Sequence, residues 1–235
     1  MVEQMKIQSK YNKDLVLKVT PGHFSSDRFH VNYYIDMSTL KMRHSEAKKI
    51  AEAMADKYVK KVKLDNRVTG FGAMPSMADL GATTTPIDTI ICMDGCEVIG
   101  AYLADELMKN GVQTSTKHKS FYVVTPEFDN TGQMVVRKNI QPMIQGRNVL
   151  VVLASAMSGR TISKAIGTIL AYGGKVRGLS VIFANVNEVE GYTVNGVFTH
   201  EDLPNFKLSD PNDCDDCKAG KKLTAVVNSY GYSLL

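Results

Sequence analysis

Apolar and polar positions alternate in short pieces through the first 35 residues, in "DLVLKVT" and "RFHVNYYID". That period of two predicts two strands joined across a turn at "PGHFSS". From Ser45 the period changes. Ala47, Ile50, Ala51, Met54 and Tyr58 recur at helical spacing, so "SEAKKIAEAMADKYV" is expected to be an amphipathic helix whose apolar stripe lies on a sheet. Residues 65–86, "DNRVTGFGAMPSMADLGATTTP", are rich in Gly, Thr and Pro and read as loop around one short element.

Beyond residue 86 the pattern becomes regular. "IDTIICM" predicts a buried strand, "DGCEVIGAYLADELMKNG" a helix ending at Gly111, and "SFYVVT" and "NVLVVLA" two strands. "TISKAIGTILAYGG" follows as a helix and "KVRGLSVIFA" as a strand. Near-continuous apolar strands alternating with helices point to an α/β fold, with a central, mainly parallel sheet flanked by helices. In such sheets ligands sit at the carboxyl ends of the strands, so the chemistry is expected in the loops that follow them.

Two of those loops stand out. Ser155, Ala156, Met157, Ser158, Gly159, Arg160 and Thr161 follow one apolar strand and open a helix. Backbone N–H groups and the helix dipole there would cradle an anion, Ser158 and Thr161 would add hydroxyl donors, and Gly159 would let the backbone come close. A plain strand-to-helix turn is the alternative. The second loop is Met93, Asp94, Gly95, Cys96 and Glu97. Asp94-Gly95 suits a tight turn, and Glu97 suits the first turn of a helix.

Composition changes little in this picture. The 235 residues carry 44% hydrophobic and 22% charged side chains, which argues for a folded protein with a substantial core. A net charge of +4, with both signs interspersed, gives little support to nucleic-acid binding. The cluster from Lys57 to Lys63 reads as a solvated helix end. No apolar run suits a membrane span or a signal peptide, so a cytoplasmic protein is expected. Four cysteines imply no disulfide framework.

The order of these segments, with "YYID", then "DTIICMDGCEVIGAYLADEL", then "VLVVLASAMSGRTISKAIGTILAYGGKVRGLSVIFA", resembles the type I phosphoribosyltransferase family. Within it the orotate phosphoribosyltransferases are the nearest in outline, over about Gly22 to Ala184. The resemblance implies an N-terminal hood over residues 1–60, a phosphoribosyltransferase-like core over 61–186 and a C-terminal extension over 187–235. It also implies a phosphorylated ribose or nucleotide ligand, Mg2+ with phosphoribosyl pyrophosphate, and a homodimer. In the family two acids follow the apolar strand and hold the ribose hydroxyls. Here those positions fall on Leu153 and Ala154, and both acids are missing. The mobile loop of the orotate enzymes, which bears Lys and His, matches "TPEFDNTGQMVVRKN", with Arg137 and Lys138 only at its far end. "STKHKS" upstream offers Lys117, His118 and Lys119, and the hood offers Arg28.

The C-terminal region adds Cys214 and Cys217 at Cys-x-x-Cys spacing, half of a tetrahedral Zn2+ site. Two further ligands are needed, and Cys92 with Cys96 is the other cysteine pair; two unligated cysteines are the alternative. "LTAVVNSYGYSLL" is expected to dock on the hood or on a second subunit. Three functions remain open on these residues: a phosphoribosyl transferase in which another acid replaces the lost pair, a nucleotide or sugar-phosphate sensor without turnover, and an enzyme acting on a different phosphorylated substrate.

Overall fold

The computed structural model describes residues 4–10, 12–59, 86–228 and 230–235. The expected loop over 65–85 and most of the basic cluster 57–63 lie outside the described residues. The central sheet has the order β10-β11-β9-β8-β4-β5, built from β4 (Thr89–Cys92), β5 (Tyr122–Val124), β8 (Asn148–Ala156), β9 (Lys175–Ala184), β10 (Glu188–Val189) and β11 (Tyr192–Thr199). All neighbours in it are parallel except β10 and β11. The predicted α/β class, with a mainly parallel sheet between helices, is the one the chain adopts.

Parity along β8 divides the core. Leu150, Val152 and Ala154 join Ile90, Ile182 and the apolar faces of α2 (His44–Ala55) and α3 (Glu97–Lys109). Val149, Val151 and Leu153 face the other way, among Ile91, Leu179, Val181 and Ile162, Ile166 and Ile169 of α4 (Arg160–Ala171). A strand buried on both faces reads as an unbroken apolar run, which is why the sequence signal was strong there.

A second sheet forms the hood: β12 (Leu208–Ser209), β3 (His30–Asp36), β2 (Val16–Ser25), β13 (Ala225–Asn228) and β14 (Gly231–Leu234), with β1 (Met5–Gln8) also on β2. The turn expected at "PGHFSS" is instead strand. Its register slips between Pro21 and Phe24, and such a bulge accommodates a proline that cannot donate to the ladder. The chain reverses at residues 26–29, where the Ser26 hydroxyl accepts from the N–H groups of Arg28 and Phe29. The short helix α1 (Ser38–Met42) then leads into α2, which ends at Ala55 rather than reaching Val59.

The central sheet continues past residue 186, because β11 lies parallel to β9, so by strand pairing the core runs to Thr199. The C-terminal tail completes the hood: Ala225 and Val226 pair with Phe24 and Ser25, and β14 folds back on β13. No helix among the described residues is long and apolar enough to cross a membrane.

Candidate functional site

At the carboxyl end of β8 the strand runs through Ala156, two residues further than the apolar run suggested, so the connection to α4 is only Met157, Ser158 and Gly159. Asn185 braces it: its N–H donates to the Ala156 carbonyl (2.9 Å) and its Nδ2 to the Met157 carbonyl (3.0 Å). Gly159 is the N-cap of α4, in the left-handed conformation with φ 77° and ψ −7°. A Cβ on Gly159 would stand 2.6 Å from Cγ2 of Val189. No side chain caps α4 and its own first turn holds no acid, so its first N–H groups face outward; the Glu190 carboxylate stands beside it, accepting from the Ser163 hydroxyl (2.6 Å). Ser158, Arg160 and Thr161 are exposed there.

The loop after β4 lies alongside. The Met93 N–H donates to the Val152 carbonyl (2.9 Å), and Asp94 and Gly95 both take positive φ, 58° and 77°, forming the tight turn expected. The buried Lys41, delivered by α1, donates from Nζ to the Asp94 carbonyl at 2.8 Å. Glu97 starts α3 and accepts from the Thr125 hydroxyl (3.3 Å). Cys92 and Cys96 are fully buried. Burial pushes the Cys92 thiol up to about 12, and burial together with Asp94 and Cys92 moves Cys96 upward as well. Neutral, enclosed thiols are poor nucleophiles and poor ligands.

Hood and core enclose a cleft of about 380 Å³ above these loops. Its floor is Ala154 to Ile162 with Asp94. Its roof is the β2–β3 turn with Arg28 and Phe29, then Tyr33, Tyr34 and Lys41, and Val227, Asn228 and Tyr230 from the C-terminal hairpin. Three cations, Arg28, Lys41 and Arg160, thus border one cleft with the α4 N-terminus. Of the two positions matching the family's acids, Ala154 lines the cleft, whereas Leu153 is fully buried on the α4 side of the sheet. The sequence comparison placed both at the ribose; the strand's parity allows only one.

The stretch resembling a mobile loop is a hairpin, β6 (Glu127–Phe128) and β7 (Met134–Val135), held against α4. Lys164 Nζ donates to the carbonyls of Thr131 and Gly132 (2.8 and 3.1 Å), and Gln133 Nε2 donates to the Thr168 hydroxyl (2.7 Å). Arg137 is turned back onto Glu127 in an exposed ion pair. His118 stacks edge-on against Tyr122 (4.8 Å), and none of Lys117, His118 or Lys119 borders the cleft.

A second constellation lies in the hood. Cys214 and Cys217 meet His23 of β2 and His30 of β3, with the four donor atoms within 4.8 Å of one another. Cys92 and Cys96, the other pair in the sequence, are enclosed in the core instead. His23 read as part of a turn and His30 as part of a strand, and nothing in their spacing pointed to Cys214, 191 residues beyond His23. Burial and the neighbouring His23 lower the His30 pKa, which favours the neutral ring.

A mainly parallel sheet between helices, with a hood over the carboxyl ends of its strands and a glycine loop on a helix N-terminus, defines a hooded α/β fold. Solved structures similar to it in outline bear phosphoribosyltransferase names. Mycobacterium tuberculosis H37Rv orotate phosphoribosyltransferase, in complex with inorganic phosphate, shares 14% identity at a TM-score of 0.45, over 74% of this chain and 81% of that one. A phosphoribosyltransferase from Corynebacterium diphtheriae shares 14% at 0.45, over 78% and 91%. Trypanosoma cruzi hypoxanthine phosphoribosyltransferase shares 16% at 0.39, over 66% and 75%. At this identity and overlap the likeness is one of outline. No family model matches the chain, and no curated protein matches it.

Proposed function

We propose that the cleft binds a 5-phosphorylated ribose, as a nucleoside monophosphate or phosphoribosyl pyrophosphate, and holds it without efficient transfer to a base. The observation that carries this reading is the uncapped N-terminus of α4, opened by the left-handed Gly159 and bordered by Arg28, Lys41 and Arg160. Helix N–H groups and flanking cations suit a phosphate dianion. Tyr33 and Tyr34 offer flat apolar surface for a base.

Transfer would require negative charge beside the developing positive charge of the ribose. Near its carboxyl end β8 carries Leu153 and Ala154, so the strand offers none, and this favours a sensor over a transferase. Any Mg2+ would enter with a pyrophosphate-bearing ligand, on the ligand's own oxygens. The exposed Tyr232, Leu234 and Leu235 of the C-terminal hairpin suit a contact between two copies of the chain, which light scattering would detect. A cytoplasmic setting, where thiols stay reduced, goes with this reading.

Calorimetric titration with inorganic phosphate, ribose 5-phosphate, nucleoside monophosphates and phosphoribosyl pyrophosphate, with and without Mg2+, is the test. Binding of phosphorylated ribose with no turnover of orotate or other bases is expected. Turnover near 1 to 10 per second, ordinary for enzymes, would overturn the sensor reading. No binding by any of these ligands would overturn the site.

A further inference from the structure

We propose that His23, His30, Cys214 and Cys217 form a closed Zn2+ site that clamps the C-terminal extension onto the hood and fixes the roof of the cleft. His23 Nδ1 lies 2.9 Å from the Lys221 carbonyl, which can only accept, so Nδ1 carries the proton and Nε2 presents its lone pair. That lone pair faces His30 Nδ1 at 3.1 Å, Cys214 Sγ at 3.5 Å and Cys217 Sγ at 3.7 Å, and Cys217 Sγ lies 3.3 Å from His30 Nδ1. One nitrogen lone pair cannot satisfy three partners. A cation at their centre satisfies all four.

The spacings fit a specific ion. With Zn–S of about 2.3 Å and Zn–N of about 2.0–2.1 Å, a tetrahedron places N···N near about 3.3 Å and N···S near about 3.6 Å. Two thiolates and two imidazoles are a zinc donor set, and four protein ligands leave no open position for substrate, so the site is structural. The carbonyl of Lys221 supplies the outer partner that zinc-bound histidines characteristically have.

The surroundings show what the metal holds. Between β12 and β13 the chain has only a 3-10 turn and the four-residue helix α5 (Asp215–Lys218), and the cluster beneath it has three buried residues, Phe24, Val31 and Ala225. So small a core is the situation in which a metal substitutes for apolar burial. The ligands also bracket the cleft: His23 and His30 flank the turn carrying Arg28 and Phe29, and Cys217 precedes the hairpin carrying Val227 and Tyr230.

The test starts with metal content of the full chain expressed in zinc-replete medium and purified under reducing conditions. One zinc per chain is expected in wild type and in Cys92→Ala, and its loss in Cys217→Ser and His23→Ala. Because those variants can misfold, wild-type protein is also stripped with chelator and reloaded with Co2+. Intense visible d–d bands and a thiolate charge-transfer band are expected, with faster proteolysis of the C-terminal extension while the metal is absent. A wild type without stoichiometric zinc and without the cobalt spectrum, a Cys214–Cys217 disulfide, or zinc retained in the variants would each overturn the site.

The roof function rests on the phosphate reading and is measured separately, by titrating loaded and stripped protein with inorganic phosphate. Stripping is expected to weaken binding about tenfold, since an unheld roof must be ordered by the ligand. Equal affinity would refute the roof function and leave the metal site standing. Phosphate binding to neither form would instead refute the cleft reading.

Discussion

Replacing Gly159 by Ala perturbs the proposed phosphate loop at its left-handed residue. An L-residue at φ 77° carries about 1–2 kcal/mol of left-handed strain. The added methyl would lie 2.6 Å from Val189 Cγ2, and overpacking of that kind costs about 1–3 kcal/mol. Together these predict a stability loss of about 2–5 kcal/mol in urea titration. Movement of the loop away from Val189 should also weaken phosphate binding by about tenfold or more, equivalent to about 1.4 kcal/mol. Gly146→Ala is the control: its φ is 71°, nothing lies within 4 Å of its Cβ position, and it does not line the cleft. It should show the strain and leave phosphate binding unchanged. Adding Val189→Ala to Gly159→Ala should recover the clash and leave the strain. Wild-type stability and wild-type phosphate affinity in Gly159→Ala would refute both the loop conformation and its role.

Ala154→Asp should place one carboxylate at the cleft wall and strengthen Mg2+-dependent binding of phosphoribosyl pyrophosphate by a few-fold, read by calorimetry, at a cost in stability because Ala154 is itself buried. Leu153→Asp should instead destabilise the fold by about 3–5 kcal/mol, because its side chain would bury an unpaired charge against α4. Gly100→Ala should cost about 1–3 kcal/mol, since its Cβ would run into Cys92 Sγ, and Cys92→Ala in the same chain should relieve most of that; additivity in the double-mutant cycle would contradict the packing. Asp88 is fully buried, which opposes its charge, yet it accepts from the N–H and Nδ2 of Asn148, the N–H and hydroxyl of Ser115 and the Thr114 hydroxyl. These bonds win and hold its pKa at about 2, below the ordinary 3.8. A depressed pKa stabilises the fold above pH 3.8 and loses that contribution as pH falls towards 2. Asp88→Asn should therefore lower stability at pH 7 by about 2 kcal/mol and flatten the acid limb of the stability profile between pH 4 and 2, which denaturation across that range would reveal.

The middle of the central sheet was legible because β4, β8 and most of β9 are buried on both faces and the helices have a clean apolar stripe, so local pattern and tertiary environment agree. The two loops after β4 and β8 were legible for the same reason: their glycines and small polar residues interrupt long apolar runs. The hood was harder. A proline and glycine inside β2 imitate a turn, and only the pairing with β3 shows that the strand continues through a bulge. The metal constellation was half legible, since Cys-x-x-Cys is a local pattern while the partnership with His23 and His30 is a product of the fold. β11 and β13 find their places by pairing with strands far away in sequence, which no local period records.

The missing acids show how far a sequence correspondence reaches before geometry takes over. Two adjacent residues on a regular strand point to opposite faces, so a pair of positions aligned side by side need not serve one ligand. Here β8 stays in strand conformation through Ala156, which sends Leu153 into the α4 core and leaves Ala154 at the cleft. Of positions 153 and 154 on this strand, only a carboxylate at 154 would border the cleft. The braces from Asn185 to Ala156 and Met157 hold the longer strand in place. Strand pairing with β9 continues through Ala156, opposite Ala184. On the proposed reading β8 therefore brings no charge to the ribose, while the loop beyond it keeps Gly159 at the N-terminus of α4.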